Sequence, residues 1–356
     1  VRSTAVGEAA SAVGEQSVAV GNESSATGVD AIAIGTQSVA DGNSTTTVGG
    51  ESVATGPGAT AYGWQSGANA ERATALGHLA QADGVRSTAV GEAASAVGEQ
   101  SVALGNESSA TGVDAIAMGT QAVANGNSTT TVGGESVATG PGATAYGWQS
   151  AANAERATAL GHLAQADGVR STAVGEAANA VGEQSVALGN ESSATGVDAI
   201  AMGTQAVANG NSTTTVGGES VATGPGATAF GWQSGANSER ATALGHLAQA
   251  DGIRSTAVGE AASAVGEQSV AVGNESSATG IDAMAMGTQA IANGNSTTTV
   301  GGESVATGPG ATAYGWRSAA NAERSSALGH LAQADGVRST AVGEAANAVG
   351  EQSVAI

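Results

Sequence analysis

Four histidines, His78, His162, His246 and His330, stand 84 residues apart in the 356-residue chain. Imidazole is the side chain best suited to metal binding or proton transfer near neutral pH. None has a second His beside it and the chain has no Cys, so no zinc ligand set can be assembled within one copy. Trp64, Trp148, Trp232 and Trp316 recur at the same interval, 14 residues before each His. Arginines come in pairs 14 residues apart: Arg72 with Arg86, Arg156 with Arg170, Arg240 with Arg254, Arg324 with Arg338. Carboxylates such as Glu8, Glu15, Glu23, Asp30, Asp41, Glu51 and Asp83 are spread singly rather than paired. No nucleophile–base pair or phosphate loop is visible. The Gly-Gly-x-Gly-x-Asp nonapeptide of calcium-binding rolls is missing. Catalysis, metals and cofactors therefore find no support. Trp64, Arg72, His78 and Arg86 are candidate ligand contacts, each with a plainer reading. The His is a solvated turn residue, the Trp part of a bulky packing layer, and the Arg pair an ion-paired element that uses Glu71, Asp83 or Glu8-type carboxylates.

The elements that hold these residues follow from a period. Val1–Gly14, Glu15–Gly28 and Val29–Gly42 are one 14-residue pattern, which runs without slippage through 25 units to Gly350. Glu351–Ile356 begins another. Six units form a block, giving 1–84, 85–168, 169–252, 253–336 and the partial 337–356. A fixed short period marks a solenoid, so residues 1–356 read as a single repeat array.

Fourteen residues are also two heptads, but a coiled coil fails. Gly fills position 7 of every unit and most of position 14, and each interior helical Gly costs about 1 kcal/mol against Ala. The local pattern alternates with period two, as in Ser17-Val18-Ala19-Val20, which is a strand signal bounded by Gly. Each unit is expected to be a strand over positions 2–6, a turn at position 7, a strand over 9–13 and a turn at position 14. Gly7, Gly21, Gly28 and Gly35 are the turn glycines, able to take a positive φ.

The two sides of each strand differ in size. Ser17, Ala19, Ala33, Ser24, Ala26 and Ala40 are small and recur at positions 3, 5, 10 and 12, so they are assigned to a thin interior. Position 6 is always apolar. With position 4 it forms a stripe that includes Val18, Val20, Ile32, Ile34, Val48, Tyr62, Leu76, Val102, Leu104, Ile116, Met118 and Tyr146. An exposed stripe of that length marks an interface, and burying a Val or Ile contributes about 1.5–3 kcal/mol. Self-association about the long axis satisfies it, and cyclic symmetry would bring identical stripes together. The period leaves two chains or three open.

Composition excludes several classes. Net charge is −21, with 31 acids against 10 bases, so the phosphate backbone of nucleic acid is not a partner. Aromatics are 2% of residues, too few for an ordinary globular core. No apolar run approaches a membrane span, and no signal peptide is present. The chain starts and stops in mid-pattern, as a fragment of a longer protein would.

The motif Ser17-Val18-Ala19-Val20-Gly21 with Ser24, Ala26 and Gly28 resembles the head repeat of YadA-type trimeric autotransporter adhesins, Asn-Ser-Val-Ala-Ile-Gly-x-x-Ser-x-Ala-x-Gly. Ser101-Val102-Ala103-Leu104-Gly105 and Ser185-Val186-Ala187-Leu188-Gly189 repeat the match. Gln16 stands where the motif has Asn, and Thr45-Thr46-Thr47 puts Thr at both inward positions. The resemblance covers the whole chain. It implies an all-β fold, a left-handed parallel β-roll solenoid with two short strands per coil, assembled as a homotrimer. It also implies a head on a coiled-coil stalk, held at the bacterial cell surface by a C-terminal outer-membrane anchor that this chain lacks. The implied role is attachment to host matrix proteins, cell-surface receptors or abiotic surfaces, with autoaggregation. A phage or fibre spike could use the same roll. An ice-binding solenoid would need Thr-x-Thr on successive coils, whereas the Thr triplet occurs in one coil of six.

The roll and coiled-coil readings separate cleanly by far-ultraviolet circular dichroism. A single β-sheet minimum is expected; the paired minima of a helix would refute the roll.

Overall fold

Strand pairing follows the sequence period. The computed structural model describes residues 2–356, short strands joined by turns and bends, with no helix among them. The first coil contributes β1 (Thr4–Val6) and β2 (Ser11–Ala12), the second β3 (Val18–Val20) and β4 (Ser25–Ala26). β1 pairs parallel to β3 with Thr4, Ala5 and Val6 opposite Val18, Ala19 and Val20. β2 pairs parallel to β4 with Ser11 opposite Ser25. The same 14-residue offset continues coil after coil, as in Val102 opposite Ile116 and Ser109 opposite Val123. The protein is an all-β parallel solenoid of about 25 coils.

Two compact units divide it, Val1–Ala177 and Ala178–Ile356. The first carries strands from Thr4–Val6 to Thr172–Val174, the second from Asn179–Ala180 to Val354–Ala355. Within each, both faces of the coil form continuous parallel ladders.

The interior is built from the smallest side chains. Ser17, Ala19, Ser24, Ala26, Ala33 and Ala40 have no exposed surface, and almost every equivalent in later coils matches them. Two facing strands joined by tight turns leave room for little more than a methyl or hydroxyl. Many inward Ser return the hydroxyl to a turn carbonyl, although the buried hydroxyls of Ser87, Ser101 and their later-block equivalents find no partner. Ser17 Oγ donates to the Gly14 oxygen at 2.7 Å and Ser24 Oγ to the Gly21 oxygen at 3.0 Å. In the Thr coil, Thr45 and Thr47 lie wholly inside. Thr45 Oγ1 donates to the Gly42 oxygen at 2.7 Å and Thr47 Oγ1 to the Ile32 oxygen at 3.4 Å. Only Thr46 of the triplet points outward, half-buried.

The strands are shorter than the expected 2–6 and 9–13. They cover positions 4–6 and 11–12, because positions 2 and 9 belong to the turns. Those two positions hold left-handed residues: Gln16 at φ +57°, Glu23 at +55°, Arg72 at +56°, Leu79 at +59°. Most turns are closed by a hydrogen bond spanning three residues, as from Ser17 N–H to the Gly14 oxygen and from Ser24 N–H to the Gly21 oxygen. A positive φ at the third residue is the mark of a type II turn. Pro57-Gly58, with Gly58 at +71°, shows the favoured residues for that turn. Elsewhere ordinary side chains carry the left-handed strain. Their amides offset it by bonding one coil back, Glu23 N–H to the Glu8 oxygen and Asp30 N–H to the Glu15 oxygen.

The turn glycines divide into two kinds. Gly7, Gly21 and Gly35 have φ near +135°, a region closed to residues with a Cβ. Gly28 has no positive φ; it is buried, and a Cβ there would run into the Gly42 carbonyl of the next coil. The close approach of coils, not backbone freedom, requires it.

Substitutions at left-handed positions should therefore part ways. Gly35→Ala is expected to cost at least about 2 kcal/mol, whereas Ala93→Gly at φ +53° should be neutral within about 1 kcal/mol. Local opening read by amide hydrogen exchange checks both; equal effects would contradict the turn assignment.

Candidate binding surfaces

Two surfaces and two corners remain once the interior is filled. Positions 4 and 6 form the outer side of the three-residue strands. Val18, Val20, Ile32, Val48, Val102, Leu104 and Ile116 are half-buried by their neighbours along the stack. Ile34, Tyr62, Leu76, Met118 and Tyr146 are exposed. Successive residues pair directly, Val18 with Ile32 and Val20 with Ile34. Position 11 lines the opposite side with Ser25, Val39, Val53, Gly67 and Gln81, and position 13 adds Thr27, Asp41, Thr55, Asn69 and Asp83. That side is the more polar. Thr27 Oγ1 donates to Asp41 Oδ1 at 2.8 Å and Asn69 Nδ2 to Asp83 Oδ1 at 2.7 Å.

Every Asp, Glu, Arg and His falls at positions 1, 2, 8, 9 or 13. Charge is thus confined to the corners and the polar side. The stripe at positions 4 and 6 is uncharged throughout a chain of net charge −21. This separation needs the alignment with the coil, since along the linear sequence the acids look scattered.

The corner after position 7 carries the aromatic and histidine residues. Trp64 is 50% exposed. Its six-membered ring fills the space above Gly50: a Cβ on Gly50 would lie 2.7 Å from Cζ3 and 2.8 Å from Cε3. Gly134, Gly218 and Gly302 seat Trp148, Trp232 and Trp316 in the same way. Beside the ring, Gln65 Nε2 donates to Glu51 Oε2 at 2.7 Å. One coil on, His78 Nδ1 lies 3.6 Å from Glu92 Oε1, both side chains at least half exposed. His162, His246 and His330 repeat that pairing with Glu176, Glu260 and Glu344. Two groups do not make a metal site, and no cluster of three candidate ligands occurs among the described residues.

The other corner carries the arginines. Arg72 and Arg86 are turn residues, not strand residues, with φ +56° and +59°. The stem of Arg72 runs along Gly58, whose Cβ would sit 3.6 Å from Arg72 Cγ. Asp83 bonds Asn69 instead of an Arg. Where the pairing of this Arg column reaches an acid, it reaches the preceding residue only: Arg156 Nε and Arg240 Nε lie 4.0 Å from Glu155 Oε1 and Glu239 Oε1. Exposed pairs at that distance contribute little. The firm ion pair lies on the opposite corner, where Arg317 stands in the Gln65 position and its Nε lies 2.6 Å from Glu303 Oε2. Arg317 also sits 5.9 Å from the Trp316 ring centre. The described residues of one chain enclose no pocket.

Because all four tryptophans share one seat, their fluorescence reports it. Replacing Gly50, Gly134, Gly218 and Gly302 together by Val is expected to lift the rings, red-shift their emission and raise quenching by acrylamide. An unchanged spectrum would contradict the packing.

Comparison with known proteins bears on what these surfaces belong to. The YadA head domain repeat, a two-copy unit, matches successive segments from 1–24 and 26–52, through 166–192 and 194–220, to 320–343 and 334–356. A search of curated proteins finds no match. Among solved structures, the crystal structure of the collagen-binding domain of Yersinia adhesin YadA is similar. It shares 26% identity over 43% of this chain and 69% of that one, with a TM-score of 0.28. A score that low leaves the fold to rest on the strand pairing and the repeat. With matches along essentially its whole length, the chain belongs to the family of YadA head domain repeats, the building unit of adhesin heads.

Proposed function

We propose that this chain is a head segment of a homotrimeric adhesin, displayed at a bacterial surface and binding host matrix proteins or cell-surface receptors. The observation that carries the reading is the uncharged apolar stripe, unmatched by anything within its own coil. Three copies packed stripe to stripe bury the one side free of like charge and leave the acidic corners in water. Val18, Val20, Ile32, Ile34, Val48, Tyr62, Leu76, Val102, Leu104, Ile116, Met118 and Tyr146 are then interface residues. The polar side and the corners, with Trp64, Arg72, His78 and Arg86, face outward or flank the seams. Recognition by such a surface is repetitive, so weak contacts add through avidity.

Sedimentation equilibrium of the purified chain is expected to give three copies. Ile34→Asp with Ile116→Asp and Ile200→Asp places a charge in each copy's stripe at three levels. These changes should dissociate the assembly and abolish binding to immobilised matrix protein while the β-sheet spectrum persists. A monomeric parent, or a charged variant that still assembles, would overturn the proposal.

A further inference from the structure

A stripe that repeats every coil poses a problem of register. Within each unit the coils pair at the same 14-residue offset, so a copy displaced by one coil meets the same backbone it left. Featureless strands specify register weakly, and Val or Ile alone would let neighbouring copies slide.

The stripe is not featureless. In the first block position 6 reads Val6, Val20, Ile34, Val48, Tyr62, Leu76, and position 4 reads Thr4, Val18, Ile32, Thr46, Thr60, Thr74. The second and third coils are apolar at both places, and the fifth carries the one aromatic. All eight aromatic residues of the chain lie in such fifth coils, as Tyr62 with Trp64, Tyr146 with Trp148, Phe230 with Trp232 and Tyr314 with Trp316. Each compact unit holds two of them. Tyr62 is 44% exposed, and its coil is held firm by the Trp64 ring seated on Gly50.

We infer that the six-coil pattern of the stripe, and above all its aromatic coil, fixes the axial register in which copies of this chain meet. The inference rests on the self-association proposed above. A slip of one coil brings Tyr62 to a level occupied by Val48 or Leu76 and leaves a gap at its former level. Overpacking and voids both destabilise, and the mismatch recurs at every block. A slip of six coils restores the match, so the pattern sets register to within one block. The 84-residue block is the unit of register, which explains why the coils are not all alike. The device works as a polar residue does in a coiled-coil seam, here through volume.

The chain has no cysteine, so register can be read by disulfide formation. One tagged population carries Val20→Cys; a second carries Val20→Cys, Ile34→Cys or Val48→Cys. Mixed full-length chains are assembled and oxidised with glutathione disulfide, which takes the two electrons released as two thiols join. Cross-linked yield is then followed against coil offset. The parent is expected to show one sharp maximum. With Tyr62→Val, Tyr146→Val, Phe230→Val and Tyr314→Val the maximum should flatten toward equal yields at neighbouring offsets. A second variant exchanges the residues of coils five and six in every block, Tyr62→Leu with Leu76→Tyr and so on, which conserves composition. Mixed with the parent, it should move the maximum by one coil. An unmoved maximum with the exchanged variant, in chains that still sediment as trimers, overturns the register inference alone. A monomeric parent overturns the self-association and the inference together.

Discussion

The whole structure depends on the hydrogen-bonded contact between one coil and the next. Neighbouring strands sit about 4.8 Å apart, and at the corners the backbones come close enough that a methyl group on Gly28 would strike the Gly42 carbonyl. Every other choice follows. The interior between two such strands accepts only Ala, Ser or an occasional Thr, as at Ala19, Ser24 and Thr45. A core of that volume gains little from burial. Larger side chains must go to the outer sides, where they are only partly covered.

That division explains how a chain with so few aromatics and no disulfide holds together. Stability comes from a repeated ladder, each term small, summed along the stack. Left-handed residues at both corners, such as Glu23 and Asp30, would be costly alone. Here their amides bond the coil before them. The same ladder forces like residues into columns. Apolar columns become a stripe, and charged columns become acidic corners.

Much of this was legible in the sequence. Position 12 as Ala in every coil and position 6 as apolar gave the two sides of the strand directly, because a period of two admits no other assignment. The extent of the strands was not legible. Gln16, Leu79 and Arg72 give no sign of a left-handed backbone, since their types are ordinary in strands or helices; Pro57-Gly58 was the one available signal. The confinement of charge to the corners and the polar side also escaped, as did the seat of Trp64 on Gly50, because it joins residues a full coil apart. Of the expected Arg carboxylate partners, the Glu71 position is met only at 4.0 Å, by Glu155 and Glu239 beside Arg156 and Arg240, while Asp83 bonds Asn69.

The central claim is that the branched side chains outside each coil are covered by sister copies. All four methionines lie on that stripe, Met118, Met202 and Met286 at position 6 and Met284 at position 4, and within one chain each is exposed. Peroxide oxidation followed by mass spectrometry reads their cover directly. The account predicts that all four resist oxidation in the assembled protein and react at the rate of free methionine once it is dissociated. Rapid oxidation of all four in the intact assembly would contradict it.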